Sequence, residues 1–215
     1  MQKYLAEAIG TFALVFCGTG AIVINEISSG AVTHVGIAIT FGLIVLAMIY
    51  TFGDVSGAHL NPAVTLGFWA LRLFPTKALA PYIGSQIGGA FLASFLLHFL
   101  FPESPHLGAT LPRGSDGQSF VLEIVLTFLL MLVIIRVSQG AKETGWFAGI
   151  AIGGMVLLEA MFAGPICGAS MNPARSLAPA VVSGNIGHLW IYLTAPVLGA
   201  LLAVLVGKTV FLKSN

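Results

Sequence analysis

The chain has 215 residues, of which 57% are hydrophobic and only 8% are charged, and its mean hydropathy is +0.98. About 25% of the residues of a soluble domain are charged, so this composition excludes an ordinary soluble domain and predicts a protein surrounded by membrane lipid. The net charge of +1 and the lack of a basic cluster give no basis for nucleic-acid binding.

Six apolar stretches, taken in chain order, are long enough to cross the hydrocarbon layer, which takes roughly 20 residues. They cover residues 4–24, 33–52, 77–101, 120–137, 145–164 and 188–210. The first stretch follows Lys3 as a secretory signal would, but Glu7 interrupts it and it is too long for a signal core. We therefore expect it to be a retained membrane helix.

Two shorter apolar segments, residues 61–71 and 172–182, cannot cross, and both begin at the same short motif. The motif reads "GAHLNPAVT" in the first copy and "GASMNPARS" in the second. The shared tripeptides are Asn61, Pro62 and Ala63, and Asn172, Pro173 and Ala174. Asn is a good N-cap and Pro is favoured at the first helical position, so each copy predicts the start of a short helix. Irregular backbone at membrane depth is tolerated only where it is buried or lines water, which predicts two re-entrant half-helices around a pore.

The two halves of the chain repeat each other. "GIAITFG" precedes the first motif and "GIAIGGM" precedes the second at nearly the same distance, while Glu7 begins "EAIGTF" and Glu123 begins "EIVLTF". Three spans per half place the halves in opposite orientations, as an inverted repeat of residues 1–110 and 111–215 in a single channel domain. The predicted fold class is an all-α integral membrane protein with six transmembrane helices and two re-entrant half-helices.

The positions of lysine and arginine predict the orientation in the membrane. With both termini in the cytoplasm, only Arg113 lies clearly outside, and Arg175 belongs to the second half-helix. The residues that fall on the cytoplasmic side are Lys3, Arg72, Lys77, Arg136, Lys142, Lys208 and Lys213.

The two motifs, the paired glutamates and their spacing resemble the aquaporin family, also called the major intrinsic proteins, over essentially the whole chain. The second motif, within "AGPICGASMNPARSLAPA", is most similar to the nodulin-26-like branch and its bacterial relatives. The resemblance implies a passive channel for water and small uncharged solutes, including glycerol and metalloid hydroxides such as arsenous or boric acid, that excludes protons and ions. It also implies a homotetramer with one pore per subunit. We expect no cofactor and a place in a bacterial inner (plasma) membrane.

Asn61 and Asn172 are predicted to meet where the positive ends of the two half-helices converge. There their amides can donate hydrogen bonds to a passing solute, while the helix ends repel cations. The alternative is that both residues are only helix caps. Arg175 is an arginine at membrane depth, which indicates function; it either lines the pore or ties down loop carbonyls, and the two roles are compatible.

The resemblance assigns the family's aromatic/arginine constriction, by distance from the two asparagines, to Phe41, Ala160, Ala169 and Arg175. Water-selective relatives carry His at the position of Ala160. The glycerol-type constriction pairs Trp with a small residue and a second aromatic residue, and this chain lacks the second aromatic. Two alanines leave a wide opening, and pore width decides which hydrogen-bonding solutes fit. We therefore favour broad selectivity over the alternative of a strictly water-selective channel.

Four further residues are predicted to support the pore. Glu7 and Glu123 are expected to hold the re-entrant loops, and His59 to line or brace the cytoplasmic half of the pore. Glu159 departs from the neutral polar residue of the nodulin-26-like branch and lies about 100° from Ala160 on a helix. It either braces residues 163–170 by accepting from backbone N–H groups, or its protonation positions Arg175 and tunes permeability.

Two rival functions conflict with these residues. A membrane enzyme needs a nucleophile and base, or two convergent carboxylates, whereas the repeat places one glutamate in each half. A non-conducting structural protein would not need both asparagines and Arg175. The spacing of His, Cys, Asp and Glu predicts no metal site, and we expect no enzymatic activity.

Overall fold

The computed structural model describes residues 1–140 and 145–211. Within these ranges the chain forms eight α-helices and no strand. In chain order they are α1 (Gln2–Ile27), α2 (Thr33–Ser56), α3 (Pro62–Ala70), α4 (Thr76–Leu100), α5 (Asp116–Gln139), α6 (Ala148–Cys167), α7 (Pro173–Ser183) and α8 (Leu189–Val210). The predicted fold class is therefore confirmed.

Six of the helices in the described ranges are long and apolar enough to cross a membrane, and each matches one predicted span. The two short helices, α3 and α7, are the predicted half-helices. The helix ends differ from the prediction by up to four residues, and at α6 residues 165–167 continue the helix. The predicted orientation depends in part on Lys142 and Lys213. Both lie outside the described residues, so the orientation stays a prediction.

The long helices cross closely at glycines in equivalent places of the two halves. A Cβ on Gly89 of α4 would lie 2.1 Å from the carbonyl oxygen of Ala8 on α1. Likewise, a Cβ on Gly199 of α8 would lie 2.3 Å from the carbonyl oxygen of Ile124 on α5. Glycine permits this approach of two backbones. Ala8 and Ile124 directly follow Glu7 and Glu123 in the sequence. The two crossings therefore hold the equivalent glutamate of each half near the centre of the helix bundle.

Helices α2 and α6 meet at a reciprocal contact. A Cβ on Gly42 would lie 2.7 Å from the Gly153 carbonyl oxygen, and a Cβ on Gly153 would lie 2.6 Å from the Gly42 carbonyl oxygen. A twofold relation between two halves produces this kind of exchange between equivalent residues. The contact is thus what an inverted repeat of this fold class would produce.

Left-handed backbone turns the chain back at the end of α2 and again at the end of α6. Both helices end at a glycine, Gly57 or Gly168, with φ of 85°. Non-glycine residues follow in the same conformation: Ala58 (φ 44°), Leu60 (φ 51°), Ala169 (φ 42°) and Met171 (φ 53°). Each costs about 1–3 kcal/mol. The two loops therefore need partners that hold them in place.

Candidate pore

The two asparagines join the N-termini of the half-helices to each other. Asn61 caps α3, its Oδ1 accepting from the Ala63 N–H at 2.9 Å, while its Nδ2 donates to the Met171 carbonyl oxygen at 2.7 Å. Asn172 caps α7 and donates from Nδ2 to the Leu60 carbonyl oxygen at 2.8 Å. Each asparagine therefore caps its own half-helix and bonds to the loop that precedes the other.

Each of these amide groups retains hydrogen-bonding capacity toward the cavity. An Asn Nδ2 carries two N–H donors, and the bonds just described use one on each side. Both asparagines line the same cavity. The N-termini of α3 and α7, each with about half a positive elementary charge, meet at this point, so the region combines free donors with a positive potential.

Glu7 fixes the loop before α3. Its Oε1 accepts from the His59 N–H at 2.9 Å and from Ser56 Oγ at 2.8 Å. Its Oε2 accepts from the Leu60 N–H and from Gln86 Nε2, both at 2.7 Å. These bonds satisfy backbone groups of a segment in the strained left-handed conformation.

Glu123 makes the equivalent bonds in the second half. Its Oε1 accepts from the Ser170 N–H at 2.7 Å and its Oε2 from the Met171 N–H at 2.8 Å. As with Glu7, the two N–H groups belong to the two residues just before the capping asparagine. Both glutamates are fully buried. Removing either one would leave two buried backbone donors unpaired, which costs about 1–3 kcal/mol for each group.

His59 both lines the cavity and packs into its wall. Its ring stacks on Phe68 with centroids 4.6 Å apart, and its Nδ1 lies 3.1 Å from Thr65 Oγ1. Phe74 and Tyr82 lie at its edges, with centroids 5.3 Å from that of the His59 ring. The ring is thus held in one orientation beside the first half-helix.

The four residues assigned to the constriction line one cavity of about 600 Å³. The guanidinium carbon of Arg175 lies 5.1 Å from the centroid of the Phe41 ring, within cation–π range. Ala160 and Ala169 offer only methyl groups. The cavity continues past the asparagines and His59 to Tyr50 and Trp146.

Arg175 also holds a loop. Its Nη1 donates to the Gly108 carbonyl oxygen at 2.9 Å, and its Nε has no hydrogen-bond partner within the described part of the chain. The side chain is 2% exposed. Arg175 therefore lines the cavity and also binds a loop carbonyl, the two positions expected from the sequence.

The sequence predicted a loop at residues 102–118 but did not identify Gly108 as the residue that Arg175 binds. Ser104 Oγ donates to Glu26 Oε2 at 2.8 Å and accepts from the Leu107 N–H at 3.2 Å. Gly108 has φ of 68° and packs on the backbone of Thr19. The position of a backbone carbonyl cannot be predicted from a pattern of side chains. The glycine at position 108 was the one available signal, and its role can be recognised only once the fold is known.

The predicted brace by Glu159 is wrong for the described residues. Its side chain is buried, and neither carboxyl oxygen has a hydrogen-bond partner among them. Residues 163–167 form the last turn of α6, so their N–H groups serve the helix, and the Ser170 N–H donates to Glu123. The segment expected to be a loop is thus mostly helix.

The family model for the major intrinsic proteins matches residues 1–207. Aquaporin NIP1-1 of Oryza sativa subsp. japonica is 47% identical over 201 residues, which cover 93% of this chain and 71% of that protein. Nodulin-26 of Glycine max is 46% identical over 202 residues, which cover 94% of this chain and 74% of that protein. The X-ray structure of the aquaglyceroporin from Plasmodium falciparum has a TM-score of 0.87 at 24% identity, covering 97% of this chain and 96% of that one.

The resemblance to the nodulin-26-like branch is confirmed by these relatives. The similarity to the Plasmodium structure shows a shared fold. The two sequence relatives are plant proteins, so they give no support to the expected bacterial inner membrane. Channels rather than enzymes make up the family, which removes the membrane-enzyme alternative. Its membrane helices, its paired motifs and the family model's match over residues 1–207 show that the chain is an integral, multi-pass membrane protein that belongs to the major intrinsic protein family of channels.

Proposed function

We propose that the chain is a passive channel for water and small uncharged solutes, with glycerol among them, that excludes protons and ions. The observation that carries the proposal is the make-up of the cavity wall. Phe41 and Arg175 lie on it together with two alanines, so half of the constriction consists of methyl groups. Pore width and the lining hydrogen-bond donors decide which solutes pass.

Ion exclusion follows from the charges around the cavity. The N-termini of α3 and α7 and the guanidinium of Arg175 are all positive and buried. In a region of low dielectric they repel a cation much more strongly than in water. A water molecule that accepts hydrogen bonds from Asn61 and Asn172 points its own hydrogens away from both, which interrupts a chain of waters that could relay a proton.

Broad solute selectivity follows from the alanines. Glycerol and the neutral acids of arsenic and boron carry several hydroxyl groups, which can accept from the asparagines and Arg175 in turn. The names of the similar proteins, an aquaglyceroporin and members of the nodulin-26-like branch, support the class of solute. A strictly water-selective channel is the alternative, and the two alanines beside Phe41 and Arg175 argue against it because they leave the constriction wide.

We further propose a homotetramer with both termini in the cytoplasm. Large apolar side chains are exposed along the outer faces of the helices, including Leu43, Leu92 and Phe95. Such surfaces need lipid or neighbouring subunits around them. The bacterial inner membrane stays a prediction.

Proteoliposomes that contain the wild type or Ala160→His test the proposal. The wild type is expected to pass water, glycerol and arsenous acid faster than empty vesicles. Ala160→His is expected to reduce glycerol and arsenous acid fluxes about tenfold, equivalent to about 1.4 kcal/mol on the barrier, and water flux less. Ala80→His, at an exposed alanine of α4, is the matched control and should leave all three unchanged. Equal reductions for all solutes would contradict the assignment of Ala160, and wild-type glycerol flux no faster than that of empty vesicles would favour the strictly water-selective channel.

A further inference from the structure

We infer that Gly18 on α1 is a positioning residue that sets the free width of the constriction by accommodating the Phe41 ring. The inference rests on the proposed function, because it takes Phe41 as a wall of the path that solutes follow. Gly18 lies behind this wall and lines no part of the cavity, whereas Phe41 does line it.

The contact between Gly18 and Phe41 is unusually close. A Cβ on Gly18 would lie 2.3 Å from Cε1 of the Phe41 ring, 2.6 Å from Cδ1 and 2.7 Å from Cζ. These three atoms form one edge of the ring. The ring therefore occupies the space that any side chain at position 18 would need.

A methyl group at position 18 would displace the ring toward the cavity. Carbon atoms are in ordinary contact at about 3.5–4.0 Å, so the ring would have to move by roughly 1 Å. The backbone of α2 holds the Phe41 Cα, and Arg175 lies over the ring at 5.1 Å from its centroid. Because protein interiors are close-packed, the cavity offers the space for this movement, and the opening opposite Ala160 and Ala169 would narrow.

Gly18 differs in this respect from a second glycine on the same helix. A Cβ on Gly20 would meet only Leu97 Cδ2, at 3.4 Å, which is ordinary contact. Both glycines are buried in α1. Alanine at position 20 therefore adds the same methyl group to the same helix without touching the constriction, and gives a matched control.

The test compares water and glycerol permeabilities of Gly18→Ala, Gly20→Ala and the wild type in proteoliposomes of equal protein content. For Gly18→Ala we expect glycerol permeability to fall about tenfold, which corresponds to about 1.4 kcal/mol on its barrier, and water permeability to fall much less. Gly20→Ala is expected to keep the wild-type ratio of the two permeabilities.

A second arm places Gly18→Ala in a Phe41→Ala background. With the ring removed, the added methyl has nothing to displace, so the ratio of glycerol to water permeability should equal that of Phe41→Ala alone. An equal fall of both permeabilities in Gly18→Ala, or the same change of ratio without the ring, would overturn the inference. Failure of Gly18→Ala to assemble would overturn it too, because the glycine would then serve packing alone. A wild type that conducts neither solute above empty vesicles would contradict the proposed function itself.

Discussion

Arg175 connects the cavity wall to the loop above it through one side chain. Its guanidinium lies over the Phe41 ring, and its Nη1 is bound to the Gly108 carbonyl oxygen. An arginine that only tied down the loop could be replaced without changing which solutes pass. One that acts on passing solutes cannot, because its charge adds to that of the half-helix ends.

Arg175→Val is therefore expected to keep a substantial osmotic water flux while weakening the exclusion of cations. The loss of the Gly108 bond should also destabilise the fold by about 1–3 kcal/mol, since a buried carbonyl is left unpaired. Proton and sodium conductance of vesicles measures the first effect. Arg113→Val, at an exposed arginine, is the control. Unchanged conductance in a folded, water-permeable Arg175→Val protein would show that Arg175 is only a structural brace.

Glu159 differs from the other two buried glutamates in having no hydrogen-bond partner in the described part of the chain. Unpaired buried polar groups destabilise a fold. Glu159→Leu is accordingly expected to raise the free energy of unfolding by about 1–3 kcal/mol and to leave the ratio of glycerol to water permeability unchanged. Thermal unfolding in detergent, together with the two permeabilities, makes the measurement.

Glu123→Leu provides the contrast for Glu159→Leu, since it removes the acceptor of the Ser170 and Met171 N–H groups and should destabilise the protein. A changed permeability ratio in Glu159→Leu would favour the remaining interpretation, in which this carboxyl group positions Arg175. Comparing wild type with Glu159→Gln from about pH 5 to 8 would then show whether protonation tunes permeability.

At the scale of helices, the two half-helices depend on interactions that are distant in sequence. Their loops contain left-handed non-glycine residues, which persist because Glu7 and Glu123 bind them from α1 and α5. The capping asparagines then bind each half-helix to the loop of the other. Loss of either glutamate should thus disturb the N-termini of both half-helices.

Much of this arrangement could be predicted from the sequence, because length and hydropathy identify membrane helices and Asn-Pro marks a helix start. The end of α6 could not, since Pro165 lies inside the helix rather than ending it. Gly108 and Gly18 were missed for another reason. A backbone carbonyl and a missing side chain acquire their roles only from what the fold places next to them. The error at Glu159 followed from the same misplaced helix end.

For the whole molecule, the two halves act as one unit. Equivalent glycines form the crossings of α1 with α4 and of α5 with α8, and Gly42 and Gly153 exchange contacts between α2 and α6. The first two crossings hold each half together, whereas the Gly42–Gly153 contact and the bonds of Asn61 and Asn172 join the halves and leave little freedom for one to move against the other. The proposed path is therefore preformed, and we expect its selectivity to lie in the residues on its wall rather than in a large conformational change.

The most direct test of this path is the temperature dependence of osmotic water flow into proteoliposomes, measured by stopped-flow light scattering. A preformed channel lets water pass without dissolving in lipid, so the wild type should give faster flow and a lower activation energy than empty vesicles of the same lipid. Proton leak measured in the same vesicles should stay at the level of empty ones. Flow with the rate and activation energy of empty vesicles would contradict the account, since the cavity between Arg175 and His59 would then be closed to water.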